Sequence, residues 1–270
     1  MTVKTLKWVN TIAFVITVAV NGLANLIPLG LGTTGDVSKK YQNLFTPAPV
    51  TFAIWGLIYI LMGVFVLYGW GVFDKWGNSK RIVLKIGPWF AISCVFNIGW
   101  IFSWHYDAIL LSTVMIVGLL VSLIFITRIL GDSELGKADK LCADAGFGIY
   151  YGWIIAATIA NVAVLLTKAG WNGFGLTPSF WTCIVIAVGA LIGTLVAVND
   201  KKYLPTIAVI WAYIGIVIRH TSPEGYAGEY FAVILTVIFS IALMSIGLFT
   251  VLISRTESDE KGLLRTTKSE

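Results

Sequence analysis

Three short stretches carry the residue types that could do chemistry. In FTPAPVTFAIWGLIYILM, Phe52, Trp55, Tyr59 and Met62 recur at i, i+3, i+7 and i+10. In NIGWIFSW, Asn97, Trp100 and Trp104 recur at i, i+3 and i+7. In YYGWIIAATIAN, Tyr150, Trp153, Ala157 and Asn161 recur at i, i+3, i+7 and i+11. Each set falls on one face of a helix. Indole, phenol and carboxamide groups offer stacking area and neutral hydrogen bonds, which suit a planar apolar molecule. Catalysis has no visible machinery, because no acid, base or nucleophile pair stands out in these stretches. Cys94, Cys142 and Cys183 are isolated, so they read as small apolar residues, with neither a metal site nor a disulfide framework expected.

The elements that must position these faces are long apolar helices. Charged residues are 12% of the chain and hydrophobic residues 57%, against about 25% charged in ordinary soluble domains. Eight apolar stretches are long enough to be read as membrane spans: 8–30, 48–70, 85–105, 108–130, 145–167, 179–199, 203–219 and 228–253. Their length and lack of alternation exclude barrel strands, so the fold class is an all-α integral membrane helical bundle. With the N-terminus inside, Lys39, Lys40, Lys168 and Arg219 fall outside, and the rest of the 19 basic residues fall inside. That asymmetry predicts two cytoplasmic termini in a cell membrane. It also explains the net charge of +5 without a nucleic-acid partner.

An amide facing lipid is costly, so Asn97 and Asn161 should face the bundle, with Asn21 and Asn25 adding a polar edge from the first span. Trp8, Trp70, Trp76, Trp89, Trp171 and Trp181 read as interface anchors, and Trp211 as packing. For Trp55, Trp100 and Trp153, core filling and a ligand pocket fit about equally, with Gly148 and Gly152 letting helices approach. No span carries an ionisable residue at its middle. His105, beside Asp107, and His220, beside Arg219, read as solvated loop histidines. Residues 31–47, with few apolar anchors, read as either a mobile lid or a plain connector. Pro47 and Pro49 suit the entry to the second span.

Taken together, NLFTPAPVTFAIWGLIYILM, FNIGWIFSW and YYGWIIAATIAN resemble the TspO/MBR family, the tryptophan-rich sensory proteins that include the mitochondrial translocator protein. Pro47, Trp55, Leu57 or Ile58, Tyr59, Asn97, Trp100, Tyr150, Trp153, Ala157 and Asn161 match its motifs in order and spacing. The resemblance covers roughly residues 8–167. It departs at Pro49, near the place of an expected tryptophan, and at Ala53 and Ile149, where prolines are expected. It implies a five-helix unit over 1–167 with a cavity closed by the first loop, followed by three further spans over 168–254 and a charged tail over 255–270.

The resemblance also implies a flat apolar ligand, porphyrin-like or sterol-like, with no required cofactor and a sensory or trafficking role. The ligand-binding residues are then Trp55, Tyr59, Asn97, Trp100, Tyr150, Trp153, Ala157 and Asn161, with Pro47 and Pro49 in the loop. The expected partners are the bilayer and the ligand, and a homodimer is compatible. The alternative is a secondary transporter of a small apolar or neutral solute, although no internal repeat supports it. Porphyrin-modifying activity is the weakest reading.

Overall fold

The computed structural model describes residues 1–270 apart from 28, 29, 75, 76, 201 and 267–270, and gives the backbone alone for 200 and 254–266. The helices in chain order are α1 (Val3–Leu26), α2 (Thr34–Lys40), α3 (Ile54–Gly69), α4 (Asn78–Ile86), α5 (Trp89–His105) and α6 (Ile109–Gly131). They continue with α7 (Lys137–Lys168), α8 (Pro178–Asp200), α9 (Tyr203–Thr221) and α10 (Phe231–Thr266). A 3₁₀ turn, Pro49–Ala53, leads into α3, and a π turn, Lys140–Asp144, lies near the start of α7. Among the described residues there is no strand.

Among the described residues seven helical segments are long and apolar enough to cross a membrane, and α4 with α5, bent by 55°, makes an eighth if the pair counts as one span. The bend is where the third expected span departs from a straight helix. Gly87 has φ 57, a left-handed backbone open to glycine, and Pro88 comes next. The two residues split off α4, which buries Ile82, Val83 and Ile86 and exposes Lys80, Arg81 and Lys85. At the other end of the chain α10 runs on through Thr266, into the segment expected to be a charged tail.

The helices are apolar outside and polar inside. Val15, Ile16, Val114, Val121, Phe239 and Ile246 are exposed, whereas Asn21, Ser93, Asn97, Ser112, Asn161 and Thr206 are buried. In hydrocarbon this arrangement leaves apolar side chains against lipid and lets polar groups satisfy one another. Tryptophans gather at both ends of the bundle. Trp8 and Trp70 meet edge to face at 5.0 Å, and Trp171 and Trp181 lie 5.0 Å apart at the opposite end. Trp89 stacks on Phe125 at 4.4 Å. Trp76, Lys75, Lys201 and Lys268, together with residues 28 and 29 of the first expected span, lie outside the described residues, as do the side chains of Arg255, Lys261 and Arg265.

Glycines set the closest approach between α7 and α9. A Cβ on Gly152 would lie 2.0 Å from the Pro205 carbonyl oxygen, and one on Gly148 would lie 3.1 Å from Leu204 Cβ. Further along α9, a Cβ on Gly215 would meet Thr51 Oγ1 at 2.0 Å, so α9 also presses on the turn before α3. Through α9, the part of the chain after the fifth span is therefore packed into the wall of the first five.

Three expectations are corrected here. His105 and His220 are fully buried, not solvated. His105 Nε2 lies 3.1 Å from Thr34 Oγ1 under α2, and His220 Nε2 donates to the Leu44 carbonyl at 2.9 Å. Residues 31–47 do contain apolar anchors: Val37, Leu44 and Phe45 are buried, and Thr33 with Asp36 forms a capping box that starts α2. Asn25 is exposed, unlike the buried Asn21, because it lies one turn nearer the helix end.

Candidate functional site

The three aromatic faces converge at the end of the bundle that carries α2. Trp55 of α3 is the hub. It stacks on Tyr59 at 5.6 Å and on Trp100 at 5.8 Å, and meets Tyr150 and Trp153 edge to face at 5.9 and 6.1 Å. Trp100 stacks in turn on Trp104 at 6.0 Å, and Phe52 meets Trp153 at 5.9 Å. Each such pair adds about 0.5–1.5 kcal/mol beyond area burial.

The expected amides bridge helices. Asn21 Nδ2 donates to Asn97 Oδ1 at 2.7 Å, and Asn97 Nδ2 donates to the Tyr150 hydroxyl at 2.8 Å, joining α1, α5 and α7. Trp100 Nε1 donates to Asn161 Oδ1 at 3.0 Å, while Asn161 Nδ2 donates to Ser112 Oγ and Thr113 Oγ1 at 3.1 and 2.7 Å. These bonds fix the Trp100 ring and tie α5, α6 and α7 together.

A narrow cavity of about 50 Å³ opens beside the aromatic cluster, so a drug-sized ligand would have to part its walls to enter. Phe52, Trp55, Trp100, Trp104 and Trp153 form an aromatic wall. Ala156, Ala157, Ala160 and Asn161 of α7 line it with Ala212 and Ile216 of α9, and Pro47 and Phe45 lie at its loop side. Of the expected residues, Trp55, Trp100, Trp153, Ala157, Asn161 and Pro47 line this space. Tyr59 and Pro49 border a side pocket reached past Asn21 and Asn25, which shares Phe52, Trp55 and Trp100 with the cavity. Asn97 and Tyr150 are buried behind the cluster and border neither space.

Two features were not anticipated. The contribution of α9 has no polar or aromatic marker, since Ala212 and Ile216 are ordinary apolar residues. Trp211 is more than packing, because its Nε1 donates to the Thr51 carbonyl at 2.9 Å and so holds the turn that presents Phe52. The loop between α2 and α3 is held along its length by α9 and by the turn that leads from α9 into α10. Ala48 N–H donates to Gly215 O at 2.9 Å, His220 to Leu44 O, and the Tyr226 hydroxyl to Asn43 O at 3.3 Å.

The far side of α2 is latched through Asp107, in the turn between α5 and α6. The Tyr41 hydroxyl donates to Oδ1 at 2.7 Å, Lys40 Nζ lies 3.0 Å from Oδ2, and Lys168 Nζ lies 3.0 Å from Oδ1. Burial acts to raise the Asp107 carboxyl, and hydrogen bonds from Tyr41, Lys40 and Lys168 overcome it, leaving the group at about 2. A lowered folded pKa adds stability above the ordinary carboxylate value of about 3.9, and that stability fades as pH falls toward the folded value. We therefore expect the protection of α2 amides, taken relative to their intrinsic exchange rate at each pH, to fall between roughly pH 4 and 2. Asp107→Asn should give the lower protection already at neutral pH. Exchange that is insensitive to both would show that the latch does not hold α2.

A bundle of apolar spans with an aromatic cavity between its helices defines a multi-pass membrane protein. A family model described as TSPO-like protein matches residues 7–253. The chain belongs to that family, and the match includes α8, α9 and most of α10 as well as the five spans that carry the motifs. Neither the curated proteins nor the solved structures gave a match.

Proposed function

We propose that this protein binds a flat apolar ligand, of tetrapyrrole or sterol shape, between the aromatic wall and the alanines of α7 and α9. The role is binding for sensing or trafficking, without catalytic turnover. The observation that carries the proposal is Trp153 Nε1. Trp153 lines the cavity and is 3% exposed, and its indole N–H has no hydrogen-bond partner among the described residues. A buried donor left unpaired is unfavourable by about 1–3 kcal/mol. An acceptor on a ligand would relieve that cost, while the surrounding rings supply the stacking surface. We further propose that the α2 end faces outward and both termini face the cytoplasm, on the distribution of basic residues.

The test is saturable quenching of tryptophan fluorescence by a planar ligand in nanodiscs, with Trp153→Phe as the diagnostic variant. Phenylalanine keeps an aromatic ring against Trp55 and Phe52 and removes the donor together with part of the indole, so Trp153→Leu, which removes the ring altogether, is the companion variant. Affinity should fall roughly three- to tenfold, up to about 1.4 kcal/mol, with no loss of thermal stability in the free protein. A fall in stability with unchanged affinity would mean that Trp153 is core filling.

A further inference from the structure

The loop between α2 and α3 walls the narrow cavity with Phe45, Thr46 and Pro47. One titratable side chain from beyond the first five spans holds that loop, His220 at the end of α9. Its ring is fully buried, and Nε2 lies 2.9 Å from the Leu44 carbonyl oxygen. A carbonyl oxygen only accepts, so Nε2 carries the proton and the imidazole is neutral. Nδ1 is then a bare acceptor, buried and without a hydrogen-bond partner among the described residues. Aromatic rings pack around the imidazole. Tyr226, in the turn after α9, lies at 4.8 Å, and Tyr230, just before α10, meets it edge to face at 5.9 Å.

A proton taken up at Nδ1 would put a charge and an unpaired N–H donor into this closed setting. The surrounding groups do not compensate. Arg219, the preceding residue of α9, has the same sign. The Tyr226 ring could face a cation, but it already lies 5.4 Å from the Arg219 guanidinium. Glu224 and Glu229, the acids of the turn, are exposed to solvent. On the loop side the Leu44 carbonyl is taken by Nε2–H, and the Tyr41 hydroxyl is bonded to Asp107.

We propose that His220 is an acid-sensitive clasp, whose protonation at Nδ1 releases the loop between α2 and α3 from the end of α9. The clasp holds where the imidazole is neutral, above the ordinary histidine value of about 6.5, and weakens as pH falls below it. The Asp107 latch weakens only below about pH 4, so the two act in separate ranges. The clasp stands apart from the identity of any ligand. It gives the narrow cavity a way to part its walls on the side of Phe45, Thr46 and Pro47.

The experiment measures hydrogen exchange over residues 41–53 in phosphatidylcholine nanodiscs, with protection taken relative to the intrinsic rate at each pH. A proton bound only by the released loop lowers protection by up to roughly tenfold at about pH 5.5, one unit below the ordinary histidine value. Wild type should show a loss approaching that size between about pH 7.5 and 5.5. His220→Gln offers the Leu44 carbonyl a neutral amide donor that does not titrate, so protection should hold at both pH values. His105→Gln should lose protection as wild type does. Nitrogen-15 NMR of the two histidines gives a readout that needs no variant. Nδ1 of His220 should gain its proton over the same pH range in which the loop loses protection. Unchanged wild-type protection at the lower pH, an equal loss in His220→Gln, or protonation of His220 with the loop still protected would each overturn the clasp.

Discussion

Gly152→Val is expected to be the most damaging single change in the protein. The added Cβ would sit 2.0 Å from the Pro205 carbonyl oxygen, far inside contact distance, and the neighbour is backbone rather than a movable side chain. Relief requires α7 and α9 to separate. That motion would pull Ala212 and Ile216 away from the cavity and loosen the hold of α9 on the loop before α3. A loss of about 3 kcal/mol or more is expected, at the upper end of the usual range for overpacking. Gly22→Val, on α1 with open space around its Cβ position, is the matched control. Thermal unfolding in detergent should show a large drop for the first and a small one for the second. Similar melting temperatures for the two would show that the α7–α9 contact is not tight.

Asn161→Leu should be the second most severe change, through a different mechanism. The Asn161 amide accepts from Trp100 Nε1 and donates to Ser112 and Thr113, so its removal leaves the Trp100 donor buried without its acceptor. Interhelical bonds of this kind are each worth about 0.6 kcal/mol on average and up to about 1.7 in membranes. Several lost together, plus an orphaned indole N–H, give an expected loss of about 2 kcal/mol. Ligand affinity should fall only through displacement of the Trp100 ring. Asn161→Asp, which keeps the acceptor for Trp100, should recover part of the stability. If Asn161→Leu abolishes binding while the melting temperature holds, the amide is a ligand contact and the bridging role is secondary.

Much of this was legible in the residues themselves. Helical spacing put Trp100 and Trp153 on inward faces, because Asn97 and Asn161 share those faces and an amide avoids lipid, while Trp55, with no amide on its face, was placed by the family resemblance. Spacing fixes a face but not a depth, so it could not separate Trp55 and Trp153, which line the cavity, from Asn97 and Tyr150, which lie behind it. The part played by α9 was hidden because Ala212, Gly215 and Ile216 carry no chemical marker. His105 and His220 were misplaced because their burial depends on loops folding back over them. Around His220 the chain turns through Ala227 and Gly228, both at positive φ, and lays Tyr226 4.8 Å from the imidazole. The start of α2 was readable in principle, since Thr33 with Asp36 three residues later is a capping-box pattern.

Photolabelling tests the central claim most directly. A planar aromatic photoprobe, cross-linked to the protein in nanodiscs and mapped by mass spectrometry, should label Phe52–Trp55 in α3, Trp153–Ala160 in α7 and Ala212–Ile216 in α9. Excess unlabelled planar ligand should suppress all three signals together, because these segments line one cavity. Labelling confined to lipid-facing residues such as Val114 and Val121 of α6, and unaffected by competitor, would contradict the account.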